Sequence, residues 1–175
     1  MFYGTVQLKS QAHSIDEVSA RLHIGGTIPR MSDRSRGYAH RVDIAADVRQ
    51  VWRALTEPEN LARWCSPGAQ IRAQPGGLFR ASVDRVTELE AHIDVCDPGR
   101  RLRLIYLPSA ELPPADSALV DDFILEPAPR GTILRLLGSG VPNDSEWDTQ
   151  YRRLRMGWRQ AMTRLKVFVE KQLDQ

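Results

Sequence analysis

The sequence predicts an α+β fold in which a curved antiparallel β-sheet wraps around one long C-terminal helix. Between residues 146 and 172, apolar side chains recur at gaps of three and four residues, which is the period of one helix face. Between residues 86 and 106 the period drops to two, as in a strand with one buried face. A helix about 40 Å long at 1.5 Å per residue needs a large apolar surface. A sheet with one water-facing side supplies such a surface.

Residues 1–37 are predicted to form an N-terminal extension to a main body that spans residues 38–175. Residues 2–8 are compatible with a short strand, and residues 14–22 open with a capping box and continue at helical spacing. Residues 29–37 are polar and rich in breakers, which is typical of a linker. Because the extension has too few apolar residues for its own core, we expect it to pack on the main body, form a homodimer with another copy, or remain mobile.

The main body begins with an alternating strand at residues 38–44. Asp47 is a plausible N-cap for a first short helix, and Pro58 opens a second that continues to Trp64. A run of antiparallel strands follows between residues 86 and 137, before the long helix. This order predicts a helix-grip arrangement, in which the curvature of the sheet tends to leave a cavity beside the helix.

One surface of the predicted sheet carries opposing charges. Acidic residues alternate with apolar ones on the strand before residue 97, and Arg101 and Arg103 alternate on the strand after it. Hairpin-linked strands would place these charges in cross-strand pairs on a water-facing surface. His92 shares that surface with Glu88 and Glu90 at spacings that a metal site could use. We favour a solvated surface instead, so no metal site is predicted.

The composition, with 42% hydrophobic and 26% charged residues, is that of a soluble globular protein. Residues 1–37 hold five basic and three acidic side chains, which leaves 24 − 5 = 19 basic and 22 − 3 = 19 acidic residues in the main body. A net charge of +2 is too small to indicate a nucleic-acid partner. No apolar run approaches the length of a membrane span, and the N-terminus lacks signal-peptide order, so a cytoplasmic location is expected.

Two local features have two interpretations each. The cluster Arg152, Arg153, Arg155 and Arg159 could bind phosphate, but a solvated helix face is the favoured interpretation. Cys65 follows a tryptophan near a helix end and could be reactive, but a small buried thiol is favoured. The two cysteines, Cys65 and Cys96, lie far apart without a CxxC motif, so neither a disulfide framework nor a zinc site is indicated.

Several stretches resemble one known family. Val51–Trp64 resembles the helix-turn-helix opening of the activator-of-heat-shock-ATPase-homologue family, which belongs to the START-like (SRPBCC) superfamily of polyketide cyclases, plant allergens and lipid-transfer domains. Pro75–Phe79, Gly131-Thr132 and Gly157-Trp158 match its recurrent pieces in order, so the resemblance covers residues 38–172. It implies a START-like helix-grip fold with a cavity between the sheet and the long helix. Such a cavity is often used for an apolar or amphipathic small molecule.

Two departures from the family pattern stand out. The strand after Gly131 usually leads to a histidine before a glycine, whereas this chain has Leu137 before Gly138. A histidine-based role at that position is therefore doubtful. Residues 1–37 have no counterpart in the common pattern, and they are what distinguishes this chain.

The cavity implied by the resemblance should be lined by aromatic and soft side chains. Trp158 and Leu165 should anchor the helix. Tyr151, Arg155 and Met162 should border empty space. The full expected lining of aromatic and sulfur-containing residues is Trp52, Trp64, Phe79, Tyr106, Phe123, Tyr151, Trp158 and Met162.

Asp121 is the candidate carboxylate of this cavity. If Phe123 faces the helix, strand alternation points Asp121 the same way, where Arg155 or Arg159 could pair with it. The alternative, which we favour, places Asp121 at the cavity rim in water.

These features predict a protein that binds an apolar or aromatic small molecule without catalysis. No nucleophile, metal or cofactor signature is present, so no cofactor is expected. The alternatives are a cyclase- or hydrolase-like enzyme that uses Asp121, Tyr106 and an arginine, and a co-chaperone-like interaction module that uses residues 1–37.

Overall fold

The computed structural model describes residues 34–82, 88–109 and 112–173. The predicted strand at residues 2–8 and the predicted helix at residues 14–22 lie outside these described residues. In chain order, the elements are β1 (Ser35–Ile44), α1 (Val48–Thr56), α2 (Pro58–Trp64), β2 (Gln70–Ile71), β3 (Leu78–Ser82), β4 (Glu88–Asp97), β5 (Arg101–Tyr106), β6 (Val120–Ala128), β7 (Gly131–Pro142), a short 3-10 helix (Ser145–Trp147) and α3 (Asp148–Leu173).

The seven strands form one antiparallel sheet in the order β1-β7-β6-β5-β4-β3-β2. Its apolar face and the apolar stripe of α3 share a single core, which confirms the predicted α+β helix-grip fold. Alternation along β4 is as expected: Leu89, Ala91 and Ile93 are buried, whereas Glu88 and His92 are exposed. One face of the sheet therefore meets the helix and the other meets water.

The local signals for the short helices are confirmed. The Asp47 side chain accepts hydrogen bonds from the backbone N–H groups of Arg49 and Gln50 at 2.8 and 3.0 Å. The Gln50 side chain accepts in return from the Asp47 backbone N–H at 3.1 Å, which completes a capping box. Pro58 occupies the first position of α2, where its missing N–H has no helical partner to lose.

Two element boundaries differ from the sequence prediction. β1 begins at Ser35, three residues before the expected start of the main body, because Ser35 pairs with Pro142. β7 extends to Pro142, five residues beyond the predicted end at residue 137, because it pairs with β1 along that length. Long-range pairing between β1 and β7 therefore sets both limits, and it leaves no periodic signal in the polar residues at either end.

The cross-strand charge pairs are present, but their main acidic partner lies on β6. Arg103 reaches Asp94 of β4 at 3.5 Å, as the hairpin predicts. Asp122 accepts from Arg101 at 2.6 Å and from Arg103 at 3.2 Å.

Within the described ranges, no helix is both long and apolar enough to cross a lipid bilayer.

Candidate functional site

The candidate site is built on a row of residues that crosses four strands. Asp121 of β6 lies opposite Leu104 of β5 on one side and Gly138 of β7 on the other. Gly138 in turn lies opposite Tyr38 of β1. Residues that are directly opposite in neighbouring strands share one face of the sheet, so the register places Tyr38 and Asp121 on the face that meets α3.

Gly138 allows the tyrosine and the carboxyl group to meet. A Cβ atom at this position would overlap the aromatic ring of Tyr38, so the ring occupies the space that a side chain would fill. From there the Tyr38 hydroxyl donates a hydrogen bond to Oδ1 of Asp121 at 2.7 Å. Tyr106 approaches from β5 and donates to Oδ2 at 2.5 Å. Both oxygens of one buried carboxyl group are therefore held by tyrosine hydroxyls.

Burial governs the protonation of this cluster. Burial raises the pKa of Asp121 to about 6, although the hydrogen bonds from Tyr106 and Tyr38 oppose that rise. The indole N–H of Trp158 lies close enough to lower the same pKa, but it makes no hydrogen bond of ordinary geometry. Burial, together with the nearby Asp121 charge, raises the pKa of Tyr38 and of Tyr106 well above their ordinary range. Both hydroxyls therefore keep their protons and act as donors.

Two expectations for Asp121 are wrong. Its side chain has no exposed surface, so it does not lie at a water-filled rim. Its partners are Tyr38 and Tyr106, whereas Arg155 and Arg159 are exposed on α3. The physical reason is the short distance between neighbouring strands of the sheet, because a tyrosine in the same cross-strand row reaches the Asp121 carboxyl group directly. The sequence analysis did not identify Tyr38 as a site residue. The glycine at position 138 was the signal for it, because it leaves the space that the tyrosine ring occupies.

Most of the predicted aromatic residues pack as core between sheet and helix. Trp158 is fully buried and meets Phe123 edge-to-face at 5.2 Å and Phe79 at 6.4 Å between ring centroids. Met162 is buried near them on the same helix. Trp64 is buried on α2, where its indole N–H donates to a backbone carbonyl at 2.8 Å.

The remaining candidates lie nearer the surface. Trp52 is half-buried against the core. Tyr151 is also half-buried, and its hydroxyl donates to the Gly37 carbonyl at 3.0 Å while the Arg36 guanidinium lies 4.5 Å from its ring centroid. Arg155 is exposed to solvent.

A pocket of about 530 Å³ opens beside Tyr106. It lies at the connection between β5 and β6, and not beneath α3. Trp147 forms the opposite side and donates a hydrogen bond from its indole N–H to the Pro114 carbonyl at 3.0 Å. Of the ten residues predicted for the cavity, Tyr106 is the one that lines this pocket. The pocket-lining residues are Tyr106, Leu107, Pro108, Ser109, Leu112, Pro113, Pro114, Ala115, Asp116, Ser117, Ala118, Leu119 and Trp147.

Metal and thiol chemistry find no support in the described part of the chain. Among residues 34–82, 88–109 and 112–173, no three histidine, cysteine or acidic side chains are grouped so that they could hold a metal ion. Cys65 is buried, as favoured, and burial raises the pKa of its thiol to about 12. A thiol that stays protonated at neutral pH is a weak nucleophile.

A seven-stranded antiparallel sheet, two short helices after its first strand and a long C-terminal helix across it together define a START-like helix-grip protein. The family model described as "Activator of Hsp90 ATPase homolog 1-like protein" matches residues 45–170. The chain therefore belongs to that family, as the motifs of its first helices indicated. No curated protein sequence matches the chain.

Solved structures share this fold. Protein MLL2253 from Mesorhizobium loti is 26% identical, with a TM-score of 0.67 over 78% of this chain and 98% of that one. The Aha1 dimer from Colwellia psychrerythraea is 18% identical, with a TM-score of 0.66 over 77% of this chain and 96% of that one. CalU16 from Micromonospora echinospora is 22% identical, with a TM-score of 0.57 over 79% of this chain and 78% of that one. The similarity to the Aha1 dimer and to CalU16 shows a shared fold and nothing more.

Proposed function

We propose that this protein binds a small, largely apolar molecule in the pocket that residues 107–109 and 112–119 form with Tyr106 and Trp147, without changing it chemically. The observation that carries this proposal is the pocket itself. Its volume of about 530 Å³ suits a single organic ligand, since such sites usually measure about 300–1,000 Å³. Three prolines, three leucines and a tryptophan supply most of its lining. Such a lining favours apolar surface over hydrated groups.

The walls of the pocket are held in place from both sides. Pro108, Pro113 and Pro114 each restrict one backbone dihedral of the connecting segment. The hydrogen bond from Trp147 ties that segment to the start of α3. Tyr106 is fixed by its bond to Asp121. A preformed wall reduces the entropy lost on binding, which favours affinity for a rigid ligand.

The charge of the lining favours a neutral or cationic ligand. Asp116 is the one charged residue among the described residues of the pocket wall, and it is exposed. An anionic ligand would meet no compensating cation there and would be repelled by this carboxylate. We therefore expect a neutral aromatic or aliphatic molecule to bind more tightly than an anionic one of similar size.

The test is titration with the neutral dye N-phenyl-1-naphthylamine. We expect saturable enhancement of dye fluorescence with the wild-type protein. Replacing Ala115, an exposed lining residue, with tryptophan fills the pocket and should weaken dye binding at least about tenfold. Val167→Trp is the matched control, because Val167 is 44% exposed on α3, away from the pocket. Equal dye affinity in both variants would show that the dye binds elsewhere and would contradict the proposal.

An acid–base enzyme of the cyclase or hydrolase type is the second candidate. The raised pKa of Asp121 favours it, because a general acid works best when its pKa lies near the working pH. Since Asp121 has no exposed surface, any proton exchange with a bound molecule would pass through Tyr106, which lines the pocket.

Mass spectrometry of a molecule that co-purifies with the protein separates the two functions. Under the binding proposal, incubation leaves its mass unchanged. Under the enzyme alternative, its mass or, for a ring closure that only rearranges bonds, its chromatographic retention time changes with wild-type protein, and both stay constant with Tyr106→Phe, which keeps the ring but lacks the hydroxyl. An interaction role or a homodimer through residues 1–37 stays a prediction, because residues 1–33 lie outside the described residues.

A further inference from the structure

The solvent-facing side of α3 carries a row of arginines around an exposed methionine. Arg155 and Met156 follow Arg152 by three and four residues and precede Arg159 by four and three, so the four side chains share one face of the helix. All four are exposed, and 45% of the Met156 surface meets solvent. We call these four residues the arginine face.

The positive charge of this face is not neutralised within the described chain. Helix α3 holds seven basic and two acidic residues. Both acids are already engaged: Asp148 pairs with Arg36 at 2.7 Å and Glu170 pairs with Lys166 at 2.9 Å. None of the three arginines of the arginine face forms an ion pair with another described residue.

We propose that the arginine face binds an acidic segment of a partner protein. Guanidinium groups bind carboxylates through two parallel hydrogen bonds, so three arginines on two helical turns fit carboxylates of similar spacing. Met156 lies between them and offers an adaptable apolar contact that desolvates the surrounding charge pairs. A mixed acidic and apolar segment is complementary to this face in both respects.

Two other occupants fit the face less well. An anionic lipid surface would be repelled by the exposed carboxylates of Asp144 and Glu146, which precede α3 in the sequence. A second copy docked through the same face would place arginines against arginines, because a two-fold interface brings identical patches together. A polypeptide can place its carboxylates over the arginines and avoid the acidic end.

The test uses the full-length protein and a short fluorescein-labelled peptide in which glutamates and leucines recur at three- and four-residue spacing. We expect the anisotropy of the peptide to rise saturably, and the affinity to fall as salt is increased towards physiological strength. The triple variant Arg152→Glu, Arg155→Glu, Arg159→Glu should bind the peptide at least about tenfold more weakly. A thermal melt of each variant establishes that it is folded.

The matched control is Arg49→Glu, Arg100→Glu, Arg130→Glu, which changes the net charge equally at exposed arginines outside the arginine face. Peptide affinity within about twofold of wild type in this control supports the proposal. An equal loss in both triple variants would show general electrostatic attraction, and no peptide binding by wild type would also overturn it. Binding of wild type to phosphatidylserine vesicles in preference to the peptide, lost in the α3 variant, would assign the face to a membrane instead.

Discussion

Replacing Trp158 with alanine should lower the free energy of unfolding by about 3–5 kcal/mol. The Trp158 side chain has no exposed surface and lies between the helix and the sheet. It meets Phe123 edge-to-face and lies 6.4 Å from the Phe79 ring centroid, so alanine would leave a cavity with aromatic walls. Rigid neighbouring strands cannot collapse into that space, which places the loss towards the upper part of the range for large-to-small core changes.

The measurement is urea-induced unfolding followed by far-UV circular dichroism. Val167→Ala on the same helix is the control, since Val167 is 44% exposed and its truncation should change stability by less than about 0.5 kcal/mol. If Trp158→Ala unfolds at the same urea concentration as the control, then the helix does not depend on this contact. The packing of α3 on the sheet would then differ from the one described above.

Local patterns were sufficient to predict the elements that make this core. Apolar residues that recur every three or four positions, Trp158 among them, predicted α3. The alternation of apolar and polar residues around Leu89 predicted β4. Asp47, as a plausible N-cap, predicted the start of α1. These signals are local because a helix or strand that buries one face must repeat apolar residues at its own period. Such signals therefore predict the fold class well.

The candidate site depends on contacts that no local pattern encodes. Tyr38 and Asp121 are 83 residues apart in sequence, and they meet because β7 lies between their strands in a particular register. A shift of one residue in either pairing would move Tyr38 to the other face. The pocket depends on the conformation of residues 107–109 and 112–119, which have no repeating period. Its location beside β5, and not beneath α3, could not be derived from the sequence.

Asp121 should make the protein less stable as the pH rises from about 4 to about 6. Burial raises its pKa from the ordinary value of 3.8 to about 6 in the folded protein. Within that window the folded state holds a proton that the unfolded chain has released, so the free energy of unfolding falls with increasing pH. The loss reaches about 3 kcal/mol at about 1.4 kcal/mol per pKa unit, and it is complete above the folded pKa.

The effect is measured as the difference in unfolding free energy between wild type and Asp121→Asn at several pH values. Asparagine keeps the size and polarity of the side chain but does not ionise. Other carboxyl groups have a lowered pKa, and their stabilising effect is lost at low pH. Examples are Asp43, which accepts a hydrogen bond from Arg41, and Glu170, which accepts from the Ala45 backbone N–H and then from Lys166. Because both proteins contain these groups, their contribution cancels in the difference.

The sign of this difference also shows whether burial or hydrogen bonding dominates the pKa of Asp121. If desolvation dominates, wild type loses stability relative to Asp121→Asn as the pH rises, and the group is easily protonated near neutral pH. If the hydrogen bonds from Tyr38 and Tyr106 dominate, the difference changes in the opposite direction, because both hydroxyls stabilise the ionised form. The second result would remove the support that the raised pKa gives to acid–base catalysis through Tyr106. The binding proposal would stand unchanged, because it depends on the pocket and not on the protonation of Asp121.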